Sequence, residues 1–432
     1  MTTTIVLEPM PNDTQFAPLA VIGYCLTRTG FFRPLWGTLD LAMKTRVHEP
    51  WAKLQDVIVS VLAGCKSIYQ INTRLRPDLA LAQAWQRPQF ADQATISRTL
   101  DACKPIHLAQ LRQGSQQLFH TYSQTSRHDF TQQLLLMDID AVGLLAAKGA
   151  EGSEKGFFSG QRNRYGRQLM RVSVPVYHET LLSLIYPGAC QPHELLKPVF
   201  QTLVGLFPWT PAEQAQIIVR NDAGLGTDAN INWLLWRHFQ VLMKGFSGKR
   251  ALAWAKQIPS TNWVEDPGRQ RWIALATNPV RYGRQTVSYV LRWQTQKGER
   301  HSTLVSTLLK RTPLDVWALY DDRGAFEVEV KGDKSGLRIP KRRKRYLGAQ
   351  EALILLTDLG HNLLAWLKPW MLTDSPFAGF GPERLVDDLL CIPGRVEFAE
   401  GRLVKVALKE SHPYAVPMQE CLLKLLNHFE NP

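Results

Sequence analysis

Apolar residues follow a helical spacing in the first part of the chain and form strand-like runs after about residue 129. Between Trp51 and Gln117 they recur at intervals of three and four, as in WAKLQDVIVSVL, which is typical of amphipathic helices. The later segments QQLLLMDIDAV and MRVSVPVYHETLLSLIYPG indicate a buried strand that ends in acids and then a pair of strands. The pattern predicts a helical region followed by a sheet.

Strands and helices then alternate. Residues 193–206 have helical spacing, QIIVR at 216–220 is a buried strand, and a helix at 228–240 leads into the strand QVLMKGF. This order predicts an α/β core around a central sheet.

The next segment is rich in short strands. Between Ser247 and Pro313 the runs RWIALAT and TVSYVLRW are separated by Gly and Pro, which predicts a β-rich insertion. A long apolar helix from Gln350 to Leu367 is expected to pack on the sheet. After Pro369 we expect a helical segment, the hairpin GRVEFAEGRLVKVAL and a final amphipathic helix from Pro417 to His428.

These changes of pattern divide the chain into five parts. They are a helical, DNA-binding N-terminal region at 1–125, the core's first part at 126–246, the insertion at 247–314, the core's second part at 315–372, and a C-terminal α/β region at 373–432 as a candidate dimerisation region.

The charge balance favours a polyanionic partner. Lys and Arg number 51 against 38 Asp and Glu, giving a net charge of +13 and a pI near 9.5. The richest apolar stretch, residues 352–367, contains Asp358, His361 and Asn362, which argues against a membrane span. The first residues lack a basic segment followed by an apolar one, so we expect a cytoplasmic, nucleoid-associated bacterial protein.

Cysteine and histidine spacing excludes the common zinc and disulfide patterns. The six cysteines are scattered without short pairs, and the eleven histidines form no pair at helical or finger spacing. Any metal ion is therefore expected to be held by carboxylates.

Three places in the sequence offer such carboxylates. Asp138 and Asp140 lie two residues apart on the predicted strand and so face the same side of the sheet. Asp222 directly follows the strand QIIVR, and Gly224 after it permits a tight turn. The alternative interpretation of any one of these acids is a solvated strand end.

The third acid, Glu327, stands among Tyr320, Arg323 and Lys334, which are groups able to hold phosphate. Carboxylates at about 4 Å repel by about 4 kcal/mol per pair at an effective dielectric constant of 20, and divalent cations remove that repulsion. Two Mg²⁺ ions roughly 4 Å apart would activate the attacking oxygen and stabilise the leaving one, which points to phosphodiester cleavage and strand transfer.

The sequence around Glu327 resembles a known signature. The stretch from Tyr320 through Arg323 and Glu327 to Lys334 matches the Tyr-x2-Arg-x3-Glu-x6-Lys motif of bacterial insertion-sequence DDE transposases of the insertion-sequence four superfamily. LLLMDIDAV resembles the family's Asp-x-Asp motif, and IIVRNDAGL resembles its Arg-x-Asp-Ser-Gly-Phe motif. The three motifs occur in the family's order.

The resemblance implies a ribonuclease-H-like core interrupted by a β-rich insertion and a catalytic triad of Asp140, Asp222 and Glu327. The triad would bind two Mg²⁺ ions, with Mn²⁺ as a substitute. Asp138 is the alternative first acid and a further candidate metal ligand. The interval of roughly 100 residues between Asp222 and Glu327 is too long for a short connection within the core and fits an inserted subdomain.

The same resemblance implies that Tyr320, Arg323 and Lys334 contact the transposon end. The sequence departs from the motifs in two places, and both departures concern the fine positioning of the site. In the first motif Ala141 and Val142 stand where the family has Ser or Thr followed by Thr. In the second motif Ala223 stands in place of Ser and Leu225 in place of Phe. Neither departure removes a metal ligand.

Two basic segments are further candidates for DNA contact. The densest cationic run, Lys341, Arg342, Arg343, Lys344 and Arg345, is interpreted as a phosphate contact, with a solvated face as the alternative. Residues 91–103, with Ser97 and Arg98 exposed, are either the second helix of a helix-turn-helix or an ordinary surface helix.

The insertion interleaves arginines with aromatic residues that would either stack on unpaired bases or pack in a core. They are Arg269, Arg271, Arg281, Arg284 and Arg292, with Trp263, Trp272, Tyr282, Tyr289 and Trp293.

Together these features predict a cut-and-paste transposase. Its partner would be double-stranded DNA, as transposon ends and target, bound by a homodimer in the synaptic complex. The enzyme would cleave at inverted-repeat ends and join the 3′-hydroxyls to target DNA. The alternatives are a nuclease that does not rejoin DNA and a transposase-derived DNA-binding regulator without cleavage activity.

Overall fold

The computed structural model describes residues 6, 10–44, 47–158, 160–323, 332 and 335–430. The chain forms two compact units. We call residues 1–126 with 329–432 the helical unit, and residues 127–328 the sheet unit.

The helices occur throughout the described residues. They are α1 (Ala17–Arg28), α2 (Arg33–Gly37), α3 (Pro50–Leu62), α4 (Leu79–Ala84), α5 (Gln93–Asp101), α6 (Pro105–Tyr122), α7 (Pro192–Leu206), α8 (Pro211–Gln214), α9 (Asp228–Trp236), α10 (Gly248–Ala255), α11 (Pro313–Asp321), α12 (Leu347–Leu367), α13 (Pro382–Arg384) and α14 (Ala415–Glu430). Short 3₁₀ or π turns lie at Ile68–Gln70, Ile71–Leu75, Thr125–Arg127, Pro175–Tyr177, Ser260–Asn262, Ile339–Lys341, Lys368–Leu372 and Leu385–Leu389.

The strands form two sheets. They are β1 (Asp13–Thr14), β2 (Leu135–Leu145), β3 (Glu154–Phe158), β4 (Gln161–Val174), β5 (Glu179–Pro187), β6 (Ile217–Asn221), β7 (Gln240–Lys244), β8 (Val264–Glu265), β9 (Arg271–Leu275), β10 (Val287–Thr295), β11 (Gly298–Ser306), β12 (Gly394–Ala399) and β13 (Arg402–Leu408). The helical unit contains the small sheet β1-β12-β13.

The sheet unit is built on one mixed sheet. Its order among the described strands is β3-β4-β2-β6-β7-β11-β10-β9-β8, and β5 also pairs with β4. β2, β6 and β7 are parallel to one another, whereas β4 runs antiparallel to both β2 and β5. The apolar runs at 135–137 and 217–219 become central strands because a strand buried on both faces needs continuous apolar residues. The predicted α/β class is confirmed.

The strands of the predicted insertion extend this sheet. β11 pairs antiparallel with β7, with Val305 opposite Met243, and β10, β9 and β8 follow outward. The segment is rich in strands as predicted, but hydrogen bonds join it to the central sheet. Periodicity shows that a segment is a strand and leaves its pairing partner undetermined.

One face of the sheet is covered by α11. Val316, Trp317 and Tyr320 of this helix form a buried cluster with Ile218 of β6 and Leu242 of β7. Side chains two residues apart on a strand share a face, so α11 lies on the face that carries Asp138 and Asp140. On β9 and β10 the opposite face packs against Trp254 of α10.

The helix α12 is buried in the helical unit. All of its residues except Leu347, Gly348 and Glu351 are buried, and it packs against α3, α5 and α6. A Cβ at Gly360 would lie 3.1 Å from a methyl carbon of Val61, which shows how closely α12 and α3 approach. The expectation that this helix packs on the sheet was therefore wrong: an apolar surface predicts burial without naming the partner.

Candidate active site

The first aspartate of the Asp-x-Asp pair belongs to a buried ion pair. Asp138 is fully buried, and its two carboxylate oxygens accept hydrogen bonds from Arg220 at 2.7 and 2.9 Å. Arg220 also donates to the carbonyl of Leu319, at the end of α11, at 2.6 Å. The structure thus assigns Asp138 to a link between β2, β6 and α11, which corrects its prediction as a metal ligand.

Asp140 lies within β2, and Asp222 directly follows the neighbouring parallel strand β6. Asp138 lies opposite Arg220 in the β2–β6 register, so continuing that register by two residues would bring Asp140 next to Asp222, and both carboxylates raise the pKa of Arg323. Neighbouring strands are about 4.8 Å apart. Asp140 is partly exposed at 22% of its side chain, and Asp222 is exposed. Both carboxylates are therefore accessible to a ligand.

The strand that carries Asp140 does not end there. β2 continues to Leu145 because it pairs with β4, with Asp140 opposite Arg171. The prediction that the strand ends in acids was wrong, but β6 ends at Asn221, so Asp140 still borders an edge of the sheet.

Arg323 lies beside the acids. Its guanidinium Nη2 is 3.5 Å from the Asp140 carboxylate, and its side chain is only 5% exposed. Burial alone would lower the pKa of Arg323, but Tyr320, Asp140 and Asp222 outweigh burial and raise that pKa. Arg323 therefore stays positively charged against the acid pair.

Tyr320 anchors the same edge. It is buried, and its hydroxyl donates to the carbonyl oxygen of Asn221, directly before Asp222, at 3.0 Å. This hydrogen bond fixes the end of β6, and the contact of Tyr320 with DNA stays a prediction. The Tyr–Arg spacing puts both side chains at one site, as the motif implied.

Lys244 is a site residue that the sequence reasoning missed. In the β6–β7 register Asn221 lies opposite Met243, so continuing that register by one residue would bring Asp222 next to Lys244. The Lys244 ammonium nitrogen lies 4.9 Å from the Tyr320 ring centroid and 5.6 Å from that of Trp293. The available signal was its place at the end of QVLMK, the strand parallel to QIIVR.

The loop after Asp222 is shaped by two glycines. The Gly224 N–H donates to Asp222 Oδ1 at 2.9 Å, and a Cβ at Gly226 would lie 1.7 Å from the Lys244 carbonyl oxygen. Only glycine permits this approach, which brings the Asp222 loop against the end of β7.

Two predicted site residues, Glu327 and Lys334, lie outside the described residues. Within the described ranges, no three His, Cys, Asp or Glu side chains converge as a metal site. The donor chemistry of Asp140 and Asp222 nevertheless fits a hard cation, since both offer carboxylate oxygens.

The cationic run at 341–345 alternates between buried and exposed residues. Arg342 is 2% exposed and donates to the carbonyls of Ser60 and Leu337 at 3.0 and 3.1 Å. Burial lowers the pKa of Arg342 to about 10, which leaves it charged at neutral pH. The predicted phosphate contact of Arg342 is corrected to a structural role inside the helical unit.

Lys344 is also turned inward. Its ammonium group pairs with Asp101 at 2.9 Å and donates to the carbonyl oxygen of Ser97 at 3.2 Å and to its hydroxyl. The predicted DNA contacts of Lys344 and Ser97 are thus corrected, because these two groups bind each other. Lys341, Arg343 and Arg345 are exposed, so the predicted cationic surface is reduced to these three.

The helix expected at 91–103 is α5. Asp92 caps it by accepting from the N–H groups of Ala94 and Thr95, both at 3.0 Å. Arg98 is exposed, and its Nη2 donates to the Thr95 hydroxyl at 3.1 Å. Its contact with DNA stays a prediction.

Arginines and aromatics of the insertion contact one another. Arg292 lies between Trp263 and Trp272, with its guanidinium carbon 4.4 and 4.7 Å from the ring centroids. The Tyr282 hydroxyl donates to Asp228 at 2.9 Å, and Tyr289 is 3% exposed. For these aromatic residues the packing interpretation holds.

The fold and the paired aspartates define an α/β protein with a carboxylate site at the edge of a mixed sheet. The model of the family described as transposase DDE domain group 1 matches residues 21–429, so the chain belongs to this family. Membership confirms the coarser expectation of a DDE transposase domain. Assignment to the insertion-sequence four superfamily stays a prediction.

A solved structure is also similar to the chain. The piggyBac transposase, in a cryo-EM structure of its synaptic complex with hairpin DNA, is 10% identical over 81% of this chain and 72% of that chain, with a TM-score of 0.41. No curated protein matches the chain. No described helix is both long and apolar enough to cross a membrane.

Proposed function

We propose that the protein is a cut-and-paste DNA transposase that uses Asp140, Asp222 and Glu327. It binds the inverted-repeat ends of an insertion sequence, hydrolyses DNA there and joins the 3′-hydroxyl ends to target DNA. The observation that carries the proposal is that Asp140 of β2 and Asp222, directly after the parallel strand β6, both act on the charge of Arg323 in a chain that belongs to a DDE transposase family.

The strand arrangement supports a ribonuclease-H-like core. β2, β4 and β5 are successive antiparallel strands, and β6 and β7 then lie parallel to β2 on its other side. α7 connects β5 to β6, and α9 connects β6 to β7. This is the order expected of such a core, with Asp140 within its first strand and Asp222 directly after its fourth.

Glu327 is proposed as the third acid because it lies close to Arg323 in the sequence. Glu327 follows Arg323 by four residues, and four residues of extended chain span at most about 14 Å. Since Arg323 lies beside Asp140, Glu327 has the reach to join the pair. Lys334 would contact the DNA backbone near the same point.

The three carboxylates would hold two Mg²⁺ ions, or Mn²⁺ in their place. When bound, these ions lower the pKa of an attacking water and stabilise the leaving oxygen. Arg323 and Lys244 put positive charge beside the acids, where they would hold the oxygens of the scissile phosphate. Water is the nucleophile for cleavage, and the freed 3′-hydroxyl is the nucleophile for joining.

Cleavage at both ends followed by joining implies a synaptic complex, for which we propose a homodimer. The exposed cations Lys341, Arg343, Arg345 and Arg98 are proposed as backbone contacts.

The test is a plasmid assay with Mg²⁺ and the element's two ends, followed by a strand-transfer assay with pre-cleaved ends. The proposal predicts excision and joining. Cleavage without joining would identify a nuclease, and specific binding without any cleavage would identify a DNA-binding regulator.

A further inference from the structure

Lys53 is a nearly buried lysine of the helical unit. It is the fourth residue of α3 and is only 4% exposed. Among the described residues, its ammonium group has neither a hydrogen bond nor an ion pair. Burial of a charge without a partner costs free energy, and a cation near the start of a helix is unfavourable as well. The fold alone therefore gives no reason for a lysine at this position.

The buried carboxylate on the same side of α3 serves another cation. Asp56 lies three residues after Lys53 and is fully buried. It accepts hydrogen bonds from Arg87 Nε and Nη2 at 3.1 and 3.2 Å and from the Ala91 N–H at 2.8 Å. Asp56 and Arg87 thus neutralise each other. The positive charge of Lys53 is left over.

His48 offers a hydrogen-bond donor near Lys53. It lies two residues before α3, and its Nδ1 accepts from Arg87 Nη2 at 3.1 Å, because a guanidinium can only donate. The proton of the neutral ring is then on Nε2. Burial, followed by the charges of Arg87, Lys53 and Arg76, lowers the pKa of His48, so the ring is neutral at pH 7. Its Nε2–H is available to an acceptor oxygen.

Two arginines lie at the rim of this region. Arg76 follows the turn at 71–75, and Asn72 of that turn accepts from the Gln93 N–H at the start of α5 at 2.9 Å. Arg98 lies on α5, and both arginines are exposed. We call Lys53, His48, Arg76 and Arg98 the basic cluster. Burial lowers the pKa of Lys53, which Glu49 opposes and Arg98 and Arg87 reinforce.

Two carboxylates act on the basic cluster without neutralising it. Asp92 caps α5, and its oxygens accept from the N–H groups of Ala94 and Thr95 and from the Thr95 hydroxyl at 2.6–3.0 Å. Glu49 is exposed. The three cations of the cluster against these two carboxylates leave an excess of one positive charge. One phosphodiester group supplies the opposite charge.

We propose that the basic cluster binds one phosphate group of the DNA backbone. Lys53 and His48 Nε2 would donate to its inner oxygens, and Arg76 and Arg98 would hold it at the rim. Phosphate contacts fix the position of a protein on the duplex without reading its sequence. This contact would hold the start of α5 against the DNA backbone. The inference rests on the proposed function, which makes DNA the polyanion.

The test compares Lys53→Met with a matched control, Lys66→Met. Methionine keeps an apolar stem and removes the charge, and Lys66 is an exposed lysine just beyond the other end of α3. The probe is a duplex of arbitrary sequence in a buffer with a chelator, so that neither cleavage nor end recognition is needed. Binding is measured at several salt concentrations, and thermal unfolding is followed by circular dichroism.

We expect Lys53→Met to bind duplex DNA at least about fivefold more weakly, by a similar factor for every sequence. The slope of the logarithm of the binding constant against the logarithm of salt concentration should decrease by about 0.9. The unfolding temperature should not fall, because the removed ammonium group has no partner in the protein. The control should bind within about twofold of wild type.

Arg76→Gln is a second variant, at an exposed position where folding is not at risk. It should weaken binding and decrease the salt slope in the same way as Lys53→Met. If Lys53→Met unfolds at a lower temperature and Arg76→Gln binds like wild type, Lys53 serves the fold and the inference is overturned. Unchanged binding by a folded Lys53→Met also overturns it.

Inorganic phosphate at constant ionic strength separates DNA from a free anion. If phosphate raises the unfolding temperature of wild type but not of Lys53→Met, while both bind DNA equally, the cluster is a site for free phosphate and the DNA assignment is wrong. If Lys53→Met loses DNA binding but wild type never cleaves DNA, the inference stands and the catalytic proposal fails. A wild type that binds no duplex DNA would overturn the inference.

Discussion

Asp138 and Asp140 are chemically identical and only two residues apart, yet their surroundings give them different tasks. Asp138 has both oxygens bonded to Arg220 inside the sheet. Asp140 is partly exposed and lies beside Arg323 and opposite the extrapolated position of Asp222. A buried carboxylate with a fixed arginine partner stabilises the fold, whereas an exposed one beside a second acid can bind a cation.

This difference predicts opposite effects of two alanine substitutions. Asp138→Ala leaves Arg220 buried without its partner and should lower the free energy of unfolding by about 3–5 kcal/mol. Asp140→Ala should change it by less than about 1 kcal/mol. Urea unfolding followed by circular dichroism measures both, and equal losses would contradict the division of roles.

The run from Lys341 to Arg345 supports a second pair of substitutions. Arg342→Ala removes the buried guanidinium that donates to the carbonyls of Ser60 and Leu337, so it should lower the free energy of unfolding by at least about 3 kcal/mol. Arg343→Ala, at an exposed neighbour, should leave stability unchanged and weaken DNA binding. If Arg343→Ala were the destabilising change, the alternation of buried and exposed side chains along this run would be refuted.

At the scale of elements, the sequence predicts segments better than their partners. β2, β6 and β7 were predictable because continuous apolar runs are needed for strands buried on both faces. β3 and the first part of β4 were not, because the polar residues from Gln161 to Arg164 do not alternate with apolar ones. α1, with buried residues from Ala17 to Leu26, was also missed.

The candidate site shows the same limit. Asp140 and Asp222 were predictable because each lies in an apolar strand motif and because the family resemblance names them. The pairing of Asp138 with Arg220 and the position of Lys244 depend on the register between strands far apart in sequence. Local periodicity contains no information on that register.

The loop between β6 and α9 yields a prediction about backbone shape. Gly226→Ala would put a Cβ into the Lys244 carbonyl and displace the loop that follows Asp222. DNA cleavage should fall at least about tenfold, since small misplacements at a site are costly, and DNA binding should change little. Gly205→Ala, on α7 where a Cβ meets nothing within 4 Å, is the control. Normal cleavage by Gly226→Ala would show that the close approach of Gly226 to the Lys244 carbonyl is unimportant for cleavage.

At the scale of the whole molecule, net charge and metal dependence separate binding from chemistry. The excess of basic residues predicts that the logarithm of the binding constant falls linearly with the logarithm of salt concentration, by about 0.9 per phosphate contact. A chelator should abolish cleavage and leave binding intact, because the carboxylates hold the metal and the cations hold the DNA. Filter binding and cleavage on the same sample measure both. Binding that disappears with the metal would contradict this separation.

The most direct test of the central claim is cleavage of a supercoiled plasmid carrying both element ends with Mg²⁺, comparing wild type with Asp140→Ala, Asp222→Ala and Glu327→Ala. We expect that wild type excises the segment and that each substitution lowers cleavage by at least about a thousandfold while end binding persists. Full cleavage by any of the three variants would remove that acid from the triad, and a wild type that binds the ends without cutting them would contradict the assignment of a catalytic site.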